Sequence, residues 1–273
     1  MKLSILVVSH NVRELLRRCL ASTAEHEVVV VDNASHDGTA DMVRESFPQV
    51  KLVDWGVNKG FATAVNEAAR NASGDVFLLL NPDAELPSGA PRRMLSALGS
   101  HTDAVAMGFR QVDAQGHFQL AMGLTPTLLV ELGRKLIQNR LDRGDVVLGN
   151  LLDRMSNAGP VAWVAGSALL VRRSAFESIG GLDERFFLYF EDIDFCLRLT
   201  RTGGHVYYDP FITVVHHRGQ SARTDQMAAA RAYRESQLYF WEKHRGPWVR
   251  RLVQAYLMAR KLTPRQLTAL GSR

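Results

Sequence analysis

Three acids, Glu191, Asp192 and Asp194, fall within four positions directly after the aromatic residues Phe186, Phe187, Tyr189 and Phe190. Acids in a first helical turn are favoured by the helix dipole, so capping accounts for one or two of them. Three acids against that many aromatics also suit a partly buried carboxylate that removes a proton, the work of a general base. A second cluster is Asn81-Pro82-Asp83-Ala84-Glu85. A carboxylate just past a buried strand can hold a hard divalent cation that bridges substrate phosphates, although Asn-Pro-Asp is also a turn sequence. Such a site needs a ligand from elsewhere. His216 and His217, followed by Arg218, supply imidazole for the ion and a guanidinium for phosphate. Finally, Asp32 and Asn33 end a valine run and lead through Ser35, Asp37 and Gly38 into a helix. That placement suits hydrogen bonds to a base or ribose, and equally a turn with a helix cap.

These clusters need a scaffold that brings strand ends together. Continuous β-branched or leucine-rich runs at residues 3–8, 28–31 and 76–80 have the pattern of strands buried on both faces, with a short strand at 51–53 and another at 104–109. Helical spacing covers 14–21, 38–47, 61–71 and 91–100 between them. The alternation predicts an α/β fold with a mostly parallel sheet flanked by helices, whose ligands bind beyond the carboxyl ends of the strands. Ser9, Asp32, Asn33, Asn81 and Asp83 all stand there. No GxGxxG follows the first strand, which argues against a dinucleotide site. Residues 111–123 have a turn-rich hairpin pattern, and 128–141 have helical apolar spacing. Short strands are expected at 161–164 and 168–171, a helix at 191–201 and a strand at 212–216. A helical tail over 226–262 breaks near Gly246-Pro247.

An apolar content of 46% supports a sizeable core. Cys19 and Cys196 stand in no metal or redox pattern, as expected of reduced core residues in a cytosolic protein. The opening MKLSILVVSH is too short an apolar run for a signal peptide, and no run reaches membrane-spanning length. Charge is unevenly placed: from Arg223 onward the chain carries +8, against −3 for the preceding body. A basic tail suits an anionic membrane surface, a phosphorylated substrate, or simply solvent. Its Tyr239, Phe240, Trp241 and Trp248 interleave with Arg and Lys as in interfacial helices, although packing onto the main domain is the expectation for most of them. Basic charge without a known motif does not support nucleic-acid binding.

Taken together, the stretches SILVVSHN (4–11), VVVDNASHDGT (29–39), NKGFATAVN (58–66), LLLNPDAEL (78–86), WVAGSALLVRR (163–173), GGLDERFFLYFEDIDFCLR (180–198) and VVHHRGQS (214–221) resemble glycosyltransferase family 2, in its rhamnosyltransferase-like branch. The resemblance spans roughly residues 2–245 and is loose over 111–160. It implies the GT-A fold, with a catalytic domain over 1–222 (nucleotide-sugar half 1–110, acceptor half 111–222) and a basic helical extension over 223–273.

It further implies an inverting, metal-dependent transfer from a nucleotide-diphosphosugar, dTDP- or UDP-linked, to a glycan or lipid-linked acceptor in cell-surface polysaccharide assembly. The expected location is cytoplasmic, with peripheral contact on the inner face of the membrane. By this resemblance Ser9, Asn11, Asp32 and Asn33 meet the nucleotide, and Asn58, Gly60 and Asn66 lie beside the donor. Asn81 replaces the first acid of the family's DxD motif, leaving Asp83 as the carboxylate ligand of Mg²⁺ or Mn²⁺, with His216 as its partner and His217 as the fallback. Trp163 and Gly166 face the acceptor. Asp192 is the catalytic base, Glu191 contacts substrate, and Arg218 or Arg223 reaches the diphosphate. Asp194, about 200° further around a helix than Asp192, is expected to be structural and to pair with an Arg. Two alternatives stay open. A sugar nucleotidyltransferase would carry a Gly-rich signature where this chain has Ser9-His10-Asn11-Val12-Arg13-Glu14. A degenerate sugar-nucleotide-binding module would not need Asp83, Asp192 and His216 intact.

Overall fold

The computed structural model describes residues 1–23, 25–217 and 226–259. Strands and helices alternate through the first half: β1 (Leu3–Ser9), α1 (Arg13–Ala21), β2 (Glu27–Asn33), α2 (Thr39–Ser46), β3 (Lys51–Trp55), α3 (Phe61–Asn71), β4 (Val76–Leu80), β5 (Ala84–Glu85), α4 (Ala90–Ser100) and β6 (Ala104–Val112). The second half continues with β7 (Phe118–Gln119), β8 (Met122–Gly123), α5 (Leu128–Leu141), α6 (Val146–Met155), β9 (Gly159–Val161), β10 (Trp163–Val164) and β11 (Ala168–Arg172). It closes with α7 (Arg173–Ser178), α8 (Glu191–Thr200), β12 (His205–His216), α9 (Gln226–Arg245) and α10 (Pro247–Ala259).

The main sheet runs in the order β3-β2-β1-β4-β11-β6-β12-β5, with β7 and β9 paired at its sides. Side chains alternate across it with period two. Leu6 and Val8 of β1 and Val29 and Val31 of β2 face one core, shared with α3, α8 and α9. Leu3, Ile5 and Val7 of β1 and Val28 and Val30 of β2 face the other, shared with α1, α2 and α4. Two buried faces explain why these strands are apolar throughout.

One strand breaks the parallel order inside the sheet, and the short strands β5, β7 and β9 are antiparallel at its margins. β11 lies antiparallel between β4 and β6. The chain returns from its excursion over 113–167 at the end of the sheet where Ala168 pairs with Leu80, so it enters the sheet against the direction of its neighbours. The strand expected at 212–216 is longer, starting at His205, with a register shift between Asp209 and Thr213 around Pro210. α6 and α7 lie where no helix was expected.

The tail aromatics divide. Phe240 and Trp241 are buried in the core, and Tyr239 packs beside them, while Trp248 is 73% exposed. Cys19 and Cys196 are both buried and unpaired with each other. Among the described residues no helix is long and apolar enough to cross a membrane.

Candidate functional site

The ends of β1 and β2 pair in register at Ser9 and Asp32. Asp32 is fully buried; its Oδ1 accepts the Ser35 N–H at 2.7 Å, and Oδ2 has a long 3.5 Å contact with the Ser9 hydroxyl. Burial pushes this carboxyl up, and the Ser35 bonds offset part of the effect. Asn11 has φ of 54°, and its Oδ1 accepts the His36 N–H at 2.7 Å, which fixes the facing turns after β1 and β2.

Asn33 acts on the neighbouring loop. Its Nδ2 donates to Asn58 Oδ1 at 2.8 Å, and its Oδ1 accepts the Lys59 N–H at 2.9 Å. That loop ends in Gly60, at φ +86°, where an added Cβ would sit 2.7 Å from the Phe187 carbonyl oxygen. Only glycine allows the approach. The next N–H, of Phe61, donates to the same oxygen at 2.7 Å, which ties the start of α3 to the segment before α8. Asn66 is engaged further along α3. Its Nδ2 donates to Leu182 O and Glu184 Oε1, and its Oδ1 accepts the Leu182 N–H. The structure therefore gives Asn33 and Asn66 positioning duties toward the loops at 58–60 and 182–184.

Asp83 and His216 come together from β5's approach and the end of β12. His216 Nε2 lies 3.2 Å from Asp83 Oδ1, yet that buried oxygen accepts no hydrogen bond. The tautomer explains both facts. Gln119 Nε2 donates to His216 O at 2.8 Å, which orients the amide and turns Gln119 Oε1 toward His216 Nδ1 at 3.1 Å. An amide oxygen only accepts, so Nδ1 is the nitrogen that donates to it, and in the neutral ring Nε2 keeps its lone pair. Asn81 Nδ2 donates to that lone pair at 3.3 Å. In the neutral ring a carboxylate oxygen and an imidazole lone pair thus face each other.

Their separation is close to the roughly 3 Å between adjacent ligands of an octahedral ion with bonds near 2.1 Å. Gln119 supplies the outer hydrogen bond typical of metal-bound histidine. These residues fit a divalent cation that also takes substrate oxygens; no cluster of three or more ligating side chains occurs among the described residues. His217 is turned elsewhere, its Nε2 2.7 Å from Glu85 Oε1.

Asp192 is held by main chain: its Oδ2 accepts the Gly166 N–H at 3.1 Å and its Oδ1 the Ile193 N–H at 2.8 Å. Burial pushes its carboxyl up; those two N–H groups and the charge of Arg134 offset part of this. Glu191 is 6% exposed, its Oε2 has no partner, and burial together with the Asp192 charge raises it well above the ordinary glutamate value. The residues before this pair, Tyr189 and Phe190, have φ of 70° and 68°, a left-handed conformation costly for aromatic residues. It persists because Phe190 packs on Phe240 and Tyr233, each with ring centroids 5.3 Å away, and Ser236 Oγ donates to Leu188 O at 2.8 Å. Helix α9 thereby holds the turn that aims Glu191 and Asp192.

The Asp83–His216 pair and Asp192 are joined by one turn. Asn81 N–H donates to Ser167 O at 3.0 Å, beside the Gly166 that binds Asp192. Trp163 is buried, with its indole against Gly123, so it props the strand leading to Gly166. Asp194 is fully buried and faces away: Arg198 meets its Oδ2 at 2.7 Å, while Lys243 and His244 meet Oδ1 at 2.7 and 2.8 Å. Arg218 and Arg223 lie outside the described residues. Gln119, Arg134 and Lys243 carry no local sequence pattern that marks them: Gln119 and Lys243 meet residues distant in the chain, and Arg134, paired locally with Glu131, bears on Asp192 only in the fold.

The profile for glycosyl transferase family 2 matches residues 4–180, and that for glycosyl transferase family group 2 matches residues 122–267. The chain is 32% identical over 252 residues to an N-acetylglucosaminyl-diphospho-decaprenol L-rhamnosyltransferase of Mycobacterium tuberculosis, covering 88% of this chain and 82% of the relative. It is 25% identical over 227 residues to the rhamnosyltransferase WbbL of Escherichia coli, covering 78% and 82% respectively.

Among solved structures, the mannosyltransferase PcManGT of Pyrobaculum calidifontis, in complex with GDP-Man and Mn²⁺, aligns with a TM-score of 0.54 at 18% identity, over 98% of this chain and 84% of that one. S. aureus TarS aligns with a TM-score of 0.55 at 17% identity, over 85% of this chain and 65% of that longer one. The fold is the GT-A arrangement: a mixed, mostly parallel sheet between helices, with a helical C-terminal region.

Proposed function

Because the chain belongs to glycosyltransferase family 2, we propose that it is an inverting, metal-dependent glycosyltransferase of cell-surface polysaccharide assembly. The donor is a dTDP- or UDP-sugar, with rhamnose the sugar suggested by the relatives. The acceptor is a glycan hydroxyl, on a prenyl-diphosphate-linked saccharide of the kind named for the Mycobacterium tuberculosis relative. The work takes place at the cytoplasmic face of the membrane, with the region over 1–222 as catalytic domain and 223–273 as its basic extension.

The observation that carries this reading is the pair formed by Asp83 and His216, an orphaned buried carboxylate oxygen facing an imidazole lone pair. A divalent cation bound there supplies positive charge against the nucleoside diphosphate as it leaves. Ser9, Asn11 and Asp32 at the strand ends bind the nucleotide, beside the loop that Asn33, Asn58 and Gly60 shape. Asp192, its oxygens fixed by two main-chain N–H groups, takes the proton of the acceptor hydroxyl. The hydroxyl oxygen bonds to the anomeric carbon as the bond to the diphosphate oxygen breaks on the opposite face. One displacement inverts the centre.

Purified protein mixed in turn with dTDP-, UDP- and GDP-sugars, with Mn²⁺ or Mg²⁺ and then with EDTA, tests the reading. Metal-dependent binding or slow hydrolysis of one donor is expected, with Asp83→Asn and His216→Ala removing the metal dependence. Folded protein that binds no donor with metal present overturns it.

A further inference from the structure

Helix α10 is apolar on two sides. Gly246, at φ +87°, and Pro247 end α9 and turn the chain into it. Val249, Val253 and Leu257, four residues apart, pack on the core that holds Phe240 and Trp241. One position earlier, at the same spacing, come Trp248, Leu252 and Tyr256, and these point outward: Trp248 is 73% exposed and Leu252 61%. Met258, 67% exposed, borders this stripe. The 13-residue helix has only three charged or amide side chains, Arg250, Arg251 and Gln254.

A surface helix ordinarily turns polar residues outward. A second apolar face that the described residues leave uncovered marks an interaction site.

Charge decides what covers it. Residues 246–273 carry six Arg or Lys and no Asp or Glu. Glu242 takes up one of them, Arg250, at 3.0 Å. Arg251 has no ion pair among the described residues; it stays on the outer side, its guanidinium 5.1 Å from the Trp248 ring centroid. Arg260, Lys261, Arg265 and Arg273 follow in the sequence without an acid between them. The matching surface is therefore apolar and anionic at once. A second copy of this chain docking by the same face would set these cations against their own kind. A bilayer with anionic lipids has both qualities: an acyl boundary for Trp248 and Leu252, and headgroup charge for Arg251 and the cations that follow. Trp248 and Tyr256, at the two ends of the stripe, are residue types that favour the headgroup level. Thirteen residues make about 20 Å of helix, short of the roughly 30 Å of a bilayer's apolar interior, so such a helix lies along the surface and does not cross it.

We propose that the outer face of α10 docks on an anionic membrane surface, with Trp248 and Leu252 inserted at the headgroup boundary and Arg251 on the lipid phosphates. This deepens the glycosyltransferase reading and rests on it only for its purpose, which is to bring the cleft to a lipid-linked acceptor. α10 packs on α9, and α9 holds the turn that aims Asp192, so contact at α10 is joined to the proposed base through one helix.

Co-sedimentation of the full chain with vesicles of phosphatidylcholine, alone or mixed with phosphatidylglycerol, tests the docking. Binding is expected on the phosphatidylglycerol vesicles at low salt, falling as salt rises, and is expected to be weak on phosphatidylcholine alone. The double variant Trp248→Ser/Leu252→Ser should weaken it at least about tenfold, and Arg251→Gln about fivefold. All three positions are exposed, so the melting temperature should stay at the wild-type value. Phosphatidylcholine brominated in its acyl chains should quench the tryptophan fluorescence of the bound wild type. Trp248→Phe, which keeps an aromatic ring there, should stay bound and lose the quenching. Failure of the wild type to sediment with phosphatidylglycerol vesicles, equal binding by the double variant, or quenching that persists in Trp248→Phe each overturns the assignment. So does a wild-type dimer in analytical ultracentrifugation that the double variant dissolves, which would give the face to a second copy. Vesicle binding needs no sugar donor, so its failure leaves the donor screen standing, and failure of the donor screen leaves the docking face standing.

Discussion

Two carboxylate sites on the first turn of α8 have opposite fates. At the cleft, Glu191 and Asp192 are raised by burial, and Glu191 Oε2 has no partner. At the seam with α9, Asp194 is also buried, but bonds from His244, Lys243 and Arg198 outweigh that burial and hold it at about 2. The cleft acids cost stability and, in the proposed mechanism, face the substrate; the seam acid is saturated and locks α9 onto α8. α9 extends the lock, since Lys243 and Tyr239 also hold Asp183 at 2.6 and 2.7 Å. Glu191 is left underpaired on the face assigned to substrate in the proposed mechanism, and the ion pairing is concentrated one helical face away, where it fixes the aim of the pair.

The largest expected effect lies on the cleft side. Asp192→Asn should lose about 10²- to 10⁴-fold in turnover, the usual worth of a positioned base, while still binding donor. Single-turnover assays with donor-binding titration check this. Near-normal turnover would remove Asp192 from the base role. Asp192→Asn should also be at least as stable as wild type, because it deletes a carboxylate whose ionisation folding opposes.

On the seam side, Asp194→Asn leaves Arg198 and Lys243 partly unpaired and should cost about 3 kcal/mol of stability, read as a fall in urea midpoint. Its turnover per folded molecule should stay near normal. An inactive but fully stable Asp194→Asn would erase the distinction between the two sites. The sign with pH follows from the depressed value: this aspartate's contribution is present above its unfolded value of 3.8 and is lost as pH falls through about 2. Acid titration of wild type should therefore show about 2 kcal/mol of loss in that window that Asp194→Asn lacks.

The same division governs what could be read from the chain. Buried runs such as those of β4 and the alanine-rich α3 appear at the expected residues, because two-sided burial leaves a one-dimensional trace. Asp83 and His216 stand out in the sequence as polar residues at strand ends, and their approach to 3.2 Å follows from β12 pairing antiparallel with β5. Gln119, which sets the His216 tautomer, sits in a two-residue strand with no distinguishing neighbours. The Lys243 bridge to Asp183 spans 60 residues, and only the tertiary fold reveals it. α5 was legible as a helix through its leucine spacing, but spacing does not say which face is buried, and here the leucines are outside. Asn33 and Asn66 stood out by type and position, while the loops their amides hold are properties of the folded chain.

The smallest expected effect concerns Glu191. Its raised carboxyl means that the folded state holds a proton the unfolded chain has released, so wild-type stability falls as pH rises from the ordinary glutamate value of 4.5 and levels off above the folded value. Glu191→Gln replaces that carboxyl with a neutral group of similar shape. It should be stabilised relative to wild type by about 1 kcal/mol for each pH unit of that window crossed, less the cost of repacking the amide. Thermal unfolding at pH 5 and pH 8 measures the difference, with the larger gain expected at pH 8. Turnover should stay within about tenfold of wild type, since the Gly166 and Ile193 bonds that position Asp192 do not involve Glu191. A Glu191→Gln enzyme as inactive as Asp192→Asn would move the base to Glu191, and a stability difference independent of pH would mean that Glu191 is ionised in the folded protein after all.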